Sequence, residues 1–268
     1  MAGFSSAAAC SMVLSSDRLN TTQSSENLKR MNTPEPVLKA AQLTKQVSSP
    51  EGPLTILDEV SLEVRGGESV AIVGVSGAGK STLLGLLAGL DVPSSGKIWL
   101  DGEEITALDE DGRAALRADH VGFVFQSFHL IPSLTALENV MLPLELAGAS
   151  QPEKAARHAI ATVGLERRKG HYPNQLSGGE KQRIAIARAF VVRPTVLFAD
   201  EPTGNLDRRT GVTVIDLLFR MNADSGTTLI LVTHDLSLAA RCDRVLYMDE
   251  GRIEREASGA ETRRELAQ

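Results

Sequence analysis

Aromatic side chains are scarce in this chain: 4% of 268 residues, with one Trp and two Tyr. None occurs between Phe4 and Trp99. A core in that region must be aliphatic, and a flat ligand bound there finds no ring to stack on. Cysteine is equally sparse. Cys10 and Cys242 form neither a metal-like spacing nor a disulfide framework, which fits a reducing compartment. No apolar run approaches the ~20 residues that a membrane helix needs. The richest stretches, Val70–Val75 and Leu83–Leu90, are short and broken by glycine. A membrane role would have to come through a partner. Nor is there an excess of positive charge. The net charge of −6 argues against the basic stripe of a nucleic-acid binder, so no nucleic-acid partner is expected.

What is present changes character along the chain. Residues 1–34 are rich in Ser, Ala, Thr and Asn without an apolar period, the composition of a disordered extension. They lack the basic start and apolar run of a signal peptide, and Met31 is an alternative start. A folded domain is expected over 35–256, with 257–268 as a C-terminal tail. Ser69–Gly74 reads as a buried strand and Lys80–Leu90 as a leucine-faced helix. Val121–Gln126 is a further strand. Strand signals then stop over about 132–176, where Leu134–Ala147 and Glu153–Val163 read as an inserted helical subdomain. Afterwards Gly178–Val192 (helix), Thr195–Asp200 (strand), Thr210–Met221 (helix) and Thr228–His234 (strand) alternate. Arg244–Ile253 reads as a hairpin turning at Glu250–Gly251. Such alternation implies an α/β fold with a mainly parallel sheet.

The first chemical motif is Gly74-Val75-Ser76-Gly77-Ala78-Gly79-Lys80-Ser81, a match to G-x-x-x-x-G-K-[ST]. It lies between a buried strand and a helix, where its backbone N–H groups and the positive helix end converge on phosphate oxygens. Lys80 supplies a point charge for the β- and γ-phosphates, the Ser81 hydroxyl can ligate Mg²⁺, and Thr82 adds a donor. This makes the chain a P-loop NTPase candidate binding ATP and Mg²⁺. The second motif is Asp200-Glu201, at the carboxyl end of an apolar strand, where ligands of parallel sheets bind. Asp200 can hold the metal, and Glu201 is free to polarise the attacking water. Read alone, both acids could equally be loop charges.

Leu176-Ser177-Gly178-Gly179-Glu180 opens a helix. Ser177 and Glu180 spell a capping box, while Ser177, Gly178 and Gly179 also offer a hydroxyl and free N–H groups to an anion. Because one cradle already exists at Gly74–Ser81, the second anion site could serve a phosphate held by another subunit. These residues leave both uses open.

At this point the chain resembles the ATP-binding-cassette (ABC) family. In order stand Walker A (Gly74–Ser81), a Q-loop glutamine (Gln126), the signature (Ser177–Glu180), Walker B (Val196–Asp200) with Glu201, a D-loop (Asn205–Asp207) and a switch histidine (His234). The resemblance covers about Val37 to Glu254. It implies a P-loop fold with a helical subdomain and a small N-terminal β subdomain. It implies Glu201 as catalytic base and His234 as the group fixing water and γ-phosphate. Ser81, Gln126 and Asp200 would be the Mg²⁺ set. A second copy of the chain would bring Ser177, Gly178 and Gly179 to the nucleotide, with Asp207 crossing the interface.

The run HVGFVFQSFHLIPSLTALENVMLP and DEPTGNLD are similar to the lipoprotein-release and macrolide-export branch, and within it to the YbbA-type ATPases. That implies an exporter-type integral membrane permease touching Phe128–Leu134, and a peripheral location on the cytoplasmic face of the inner membrane. Transmission of mechanical signals to periplasmic enzymes, without transport, is the alternative. One departure stands out: the family's adenine-stacking aromatic is missing, and Val47 takes its place.

Overall fold

The computed structural model describes residues 35–50 and 52–268. The expectations for 1–34, including the Met31 start, lie outside the described residues. Two sheets form the frame. Strands β1 (Leu38–Ser49), β2 (Gly52–Val64), β3 (Ser69–Gly74), β4 (Ser95–Leu100) and β5 (Glu103–Glu104) come first. They are followed by β6 (Val121–Phe125), β7 (Val196–Asp200), β8 (Thr228–Val232), β9 (Arg244–Asp249) and β10 (Arg252–Ser258). One sheet is antiparallel, in the order β2-β1-β4-β5; the other runs β10-β9-β3-β8-β7-β6 and is parallel except for its β9–β10 edge. This is the α/β P-loop architecture expected, with its small N-terminal β subdomain.

The parallel strands are apolar on both sides because both faces are covered. Val70, Ile72, Phe198, Ile230 and Val232 point into a core shared with the antiparallel sheet and helix α1 (Lys80–Leu87). Their neighbours Ala71, Val73, Leu197, Ala199, Leu229 and Leu231 point into the opposite core. Phe198 has no exposed surface; truncating such a ring to alanine costs about 3–5 kcal/mol.

The register matters most for function. Ile72 pairs with Val232, Val232 with Asp200, and Asp200 with Phe125. Three strands, β6, β7 and β8, therefore end on one row, with β3 running two residues past it to Gly74, and the segments that follow them emerge side by side. The expected strands Val121–Gln126 and Thr228–His234 stop one and two residues early, at Phe125 and Val232. Gln126 and His234 thus stand just past the pleat, where their side chains are not committed to a sheet face.

Helix α2 (Glu110–His120) precedes β6, and the inserted helices are α3 (Ala136–Leu146) and α4 (Pro152–Thr162). Thr135 and Glu138 close a capping box on α3, and Pro152 starts α4. Helix α5 (Gly178–Phe190) ends two residues before the expected Val192, because Arg193 takes φ 54° ahead of Pro194. Helix α6 (Arg208–Ser225) is longer than the expected Thr210–Met221: Asp207 caps its start, and Gly226 at φ 66° ends it. A short α7 (Leu236–Ala239) follows β8. Residues 257–268, expected only as a tail, hold the helix α8 (Gly259–Leu266), capped by Ser258 and Glu261.

Candidate functional site

The loop after β3 is shaped by close approach. A Cβ at Gly79, where φ is 91°, would lie 2.8 Å from Leu57 Cδ2 and 2.9 Å from the Ile56 carbonyl. Only glycine combines that backbone geometry with that contact. Ala78 is buried, while Val75, Ser76 and Gly77 face outward. Lys80 Nζ donates to the carbonyls of Gly74 and Val75, both at 2.9 Å, which holds the loop curved. A cavity of about 310 Å³ opens over it, lined by Ser76, Gly77, Gly79, Lys80, Ser81, Thr82, Glu201 and, unforeseen from sequence, the aliphatic Ile56.

Ser81 Oγ donates to Asp200 Oδ1 at 3.4 Å, so the two candidate metal ligands stand together. Burial pushes the Asp200 carboxyl above its ordinary range, opposed by the Ser81 hydrogen bond and by Lys80, and assisted by the neighbouring Glu201 charge. A desolvated carboxylate short of positive charge suits a cation. Among the described residues no cluster of three His, Cys, Asp or Glu could hold a metal alone. A hydroxyl and one carboxylate fit Mg²⁺, which keeps waters and takes substrate phosphates as its other ligands. Gln126 is elsewhere engaged: its amide donates to Asn205 Oδ1 at 3.2 Å, and Asn205 donates back to the Gln126 carbonyl at 3.0 Å. The Q-loop and D-loop are thereby tied together, and no contact joins Gln126 to Ser81 or Asp200 among the hydrogen bonds of the described residues.

Glu201 follows β7 at φ 45°, its N–H bonded to the Val232 carbonyl at 2.9 Å. His234 Nδ1 lies 2.8 Å from Glu201 Oε1. The histidine is 75% exposed and the glutamate 20%, so the pair presents the imidazole outward and the carboxylate inward. Glu201 also lines a second cavity of about 440 Å³ with Leu206, Asp207, Val212, His234 and Arg241. It therefore stands between the phosphate loop and the D-loop.

Ser177, Gly178 and Gly179 do not line the cavity over the phosphate loop. Ser177 closes the capping box with Glu180: the Ser177 N–H donates to Oε2 at 2.8 Å, and the Glu180 N–H to Ser177 Oγ at 3.3 Å. The glycines also have a packing role that the sequence did not announce. A Cβ on Gly178 would come within 3.1 Å of Leu206, and one on Gly179 within 2.4 Å of Thr210. Asp207 caps α6 by accepting from the Thr210 N–H at 3.0 Å, and its Thr210 hydrogen bonds hold its carboxyl below the usual range.

Two polar groups, the half-buried Arg188 and the buried Asn139, both missed in the sequence, shape the stretch after Gln126. Arg188 on α5 donates to the carbonyls of Phe128 (3.0 Å) and His129 (2.6 Å), two consecutive residues at φ 61° and 47°. Asn139 on α3 has no exposed surface. Its Oδ1 accepts the Ile131 N–H at 2.8 Å, and its Nδ2 donates to the carbonyls of Ile131, Leu134 and Thr135. Neither residue type forms a short-range motif with its partners.

The profile of the ABC transporter family matches residues 57–204. The uncharacterized ABC transporter ATP-binding protein YbbA of Escherichia coli K12 is 56% identical over 225 residues, covering 83% of this chain and 99% of that protein. The lipoprotein-releasing system ATP-binding protein LolD of Bordetella avium is 50% identical over 218 residues, covering 81% and 95%. The dimeric post-hydrolysis structure of the ATP-binding cassette MJ0796 with ADP and Pi superposes with a TM-score of 0.77 at 42% identity, over 82% of this chain and 98% of that one.

Proposed function

The chain belongs to the ABC transporter family as an ATP-binding cassette, an ATPase of the branch that holds YbbA and LolD, and on that premise we propose that two copies close around ATP to drive an exporter-type membrane permease. The observation carrying this reading is the division of the anion-binding groups. The phosphate loop, Asp200–Glu201 and His234 share one edge of the sheet, whereas Ser177–Gly179 stand outside the cavity they would complete. A second copy supplies them, as the dimeric MJ0796 cassette suggests.

Within one half-site, the loop amides and Lys80 take the β- and γ-phosphates. Ser81 and Asp200 would hold Mg²⁺, with Gln126 a further donor were its amide released from Asn205, and that ion would neutralise charge developing on the phosphate oxygens. Glu201 orients the attacking water and accepts its proton. His234, 2.8 Å from it, steadies the carboxylate and reaches toward the γ-phosphate. Ser177 and the N–H groups of Gly178 and Gly179 meet the same phosphate from the partner copy, with Asp207 near the seam. Contact with the permease falls on Phe128–Leu134, the stretch gripped by Arg188 and Asn139. Among the described residues no helix is long and apolar enough to cross a membrane, which suits a peripheral subunit on the cytoplasmic face of the inner membrane.

The test is Glu201→Gln with Mg²⁺ and ATP. The variant is expected to bind ATP, lose turnover by more than about 100-fold, the scale of a general base, and run as a dimer in size-exclusion chromatography with light scattering. A variant that stays monomeric at saturating ATP refutes the shared site.

A further inference from the structure

The capping box creates an electrostatic conflict. It places a carboxylate, Glu180, in the first turn of the helix whose tip is to receive a phosphate. The box does not hide that charge. Its hydrogen bond from the Ser177 N–H, aided by Arg168, holds the Glu180 carboxyl below its ordinary range, so it remains ionised. An anion beside an anion site repels the ligand across a partly desolvated gap.

Arg168 is placed to cancel it. Its Nε donates to Glu180 Oε1 at 3.1 Å, the oxygen other than the one taken by the Ser177 N–H. Its position is braced in turn. NH1 lies 3.2 Å from His171 Nε2, and the Arg168 N–H donates to the Leu165 carbonyl at 2.8 Å. The loop carrying it is fastened to α3, whose Ala136 and Leu137 N–H groups donate to the His171 and Lys169 carbonyls at 2.8 and 2.9 Å. We infer that Arg168 is a positioning residue that neutralises Glu180, so that the Ser177–Gly179 tip stays attractive to the γ-phosphate of a second copy. The inference rests on the shared-site reading above and adds a charge balance that reading does not require.

The experiment titrates ATP with Mg²⁺ into Glu201→Gln protein at fixed concentration and reads the ATP needed for half-dimerisation by light scattering. Exposed ion pairs are modest, so Arg168→Ala is expected to raise that concentration about two- to fivefold, and less at high salt. In protein with Glu201 intact, kcat at saturating ATP stays within about twofold while KM rises. Arg168→Lys keeps the charge and stays near the parent. Glu180→Gln keeps the capping box, since an amide oxygen accepts the Ser177 N–H equally, and removes the negative charge. Added to Arg168→Ala, it restores the parent value. The inference is overturned if Arg168→Ala leaves the midpoint unmoved while Ser177→Ala shifts it, or if Glu180→Gln fails to restore. If Ser177→Ala also leaves dimerisation unmoved, the shared-site reading itself falls.

Discussion

Replacing Asn139 with alanine should loosen the segment between Gln126 and α3 by an amount the structure lets one work out. Asn139 satisfies four backbone groups, but they are not equally dependent on it. Thr135's carbonyl keeps the Asn139 N–H at 2.9 Å, and the Ile131 carbonyl keeps the Leu134 N–H at 3.2 Å. The Ile131 N–H and the Leu134 carbonyl lose their partner. Two bared groups at about 1–2 kcal/mol each give a cost of about 3 kcal/mol. For a domain of this size that corresponds to a Tm drop on the order of 6–12 °C. Urea unfolding followed by circular dichroism measures the energy, and amide exchange over 131–135 measures the location. Asn139→Asp should be at least as costly, because an acceptor would face the Leu134 and Ile131 carbonyls in a site without solvent. A loss below about 1 kcal/mol for the alanine variant, or a milder aspartate variant, refutes the reasoning.

Two further outcomes are expected. With Val47 and Ile56 in place of an aromatic, kcat/KM for ATP and GTP should agree within about tenfold, since stacking worth ~1–3 kcal/mol is missing; a strong ATP preference in steady-state assays would contradict this. Burial pushes the Cys242 thiol up to about 12 from 9.0, so the unfolded chain ionises first and this contribution to stability is intact below pH 9 and lost as pH rises toward 12. In a Cys10→Ser background the native protein should resist thiol reagents at pH 9, and Cys242→Ala should flatten the decline in urea-measured stability above it; equal slopes would contradict the assignment.

Much of this was legible because phosphate chemistry compresses its requirements into short spacings. Gly74–Ser81, Asp200–Glu201 and Ser177–Glu180 each compress their pattern within eight residues, and the family resemblance rests on them, while the branch was read from the longer run HVGFVFQSFHLIPSLTALENVMLP and from DEPTGNLD. Helix ends were less legible. Lys80–Leu90 stops at Leu87 because Gly89 turns at φ 67°, and sequence periodicity is blind to that turn. The helix α8 had a signal, Ser258 with Glu261, that the stretch's polarity concealed. The bulged pairing of β1 with β2, where register shifts occur at Ala40–Leu43, Leu43–Lys45 and Lys45–Gln46, leaves no clean alternation to read. Arg168, Arg188 and Asn139 were invisible for another reason. Their partners are mostly main-chain groups, with a distant acid for Arg168, so residue identity at the other end carries little pattern.

The grip of Arg188 and Asn139 on Phe128–Thr135 has a consequence for how such a surface changes over generations. Both hold the main chain, through carbonyls and one N–H, so the outline of the segment depends little on its outward residues, apart from His129, whose ring stacks on Phe125. Ser127, Ile131, Pro132 and Ser133 are all exposed. Such positions can be rewritten to suit a new counterpart while the scaffold beneath keeps its contour, which separates the vocabulary of recognition from the grammar of the fold.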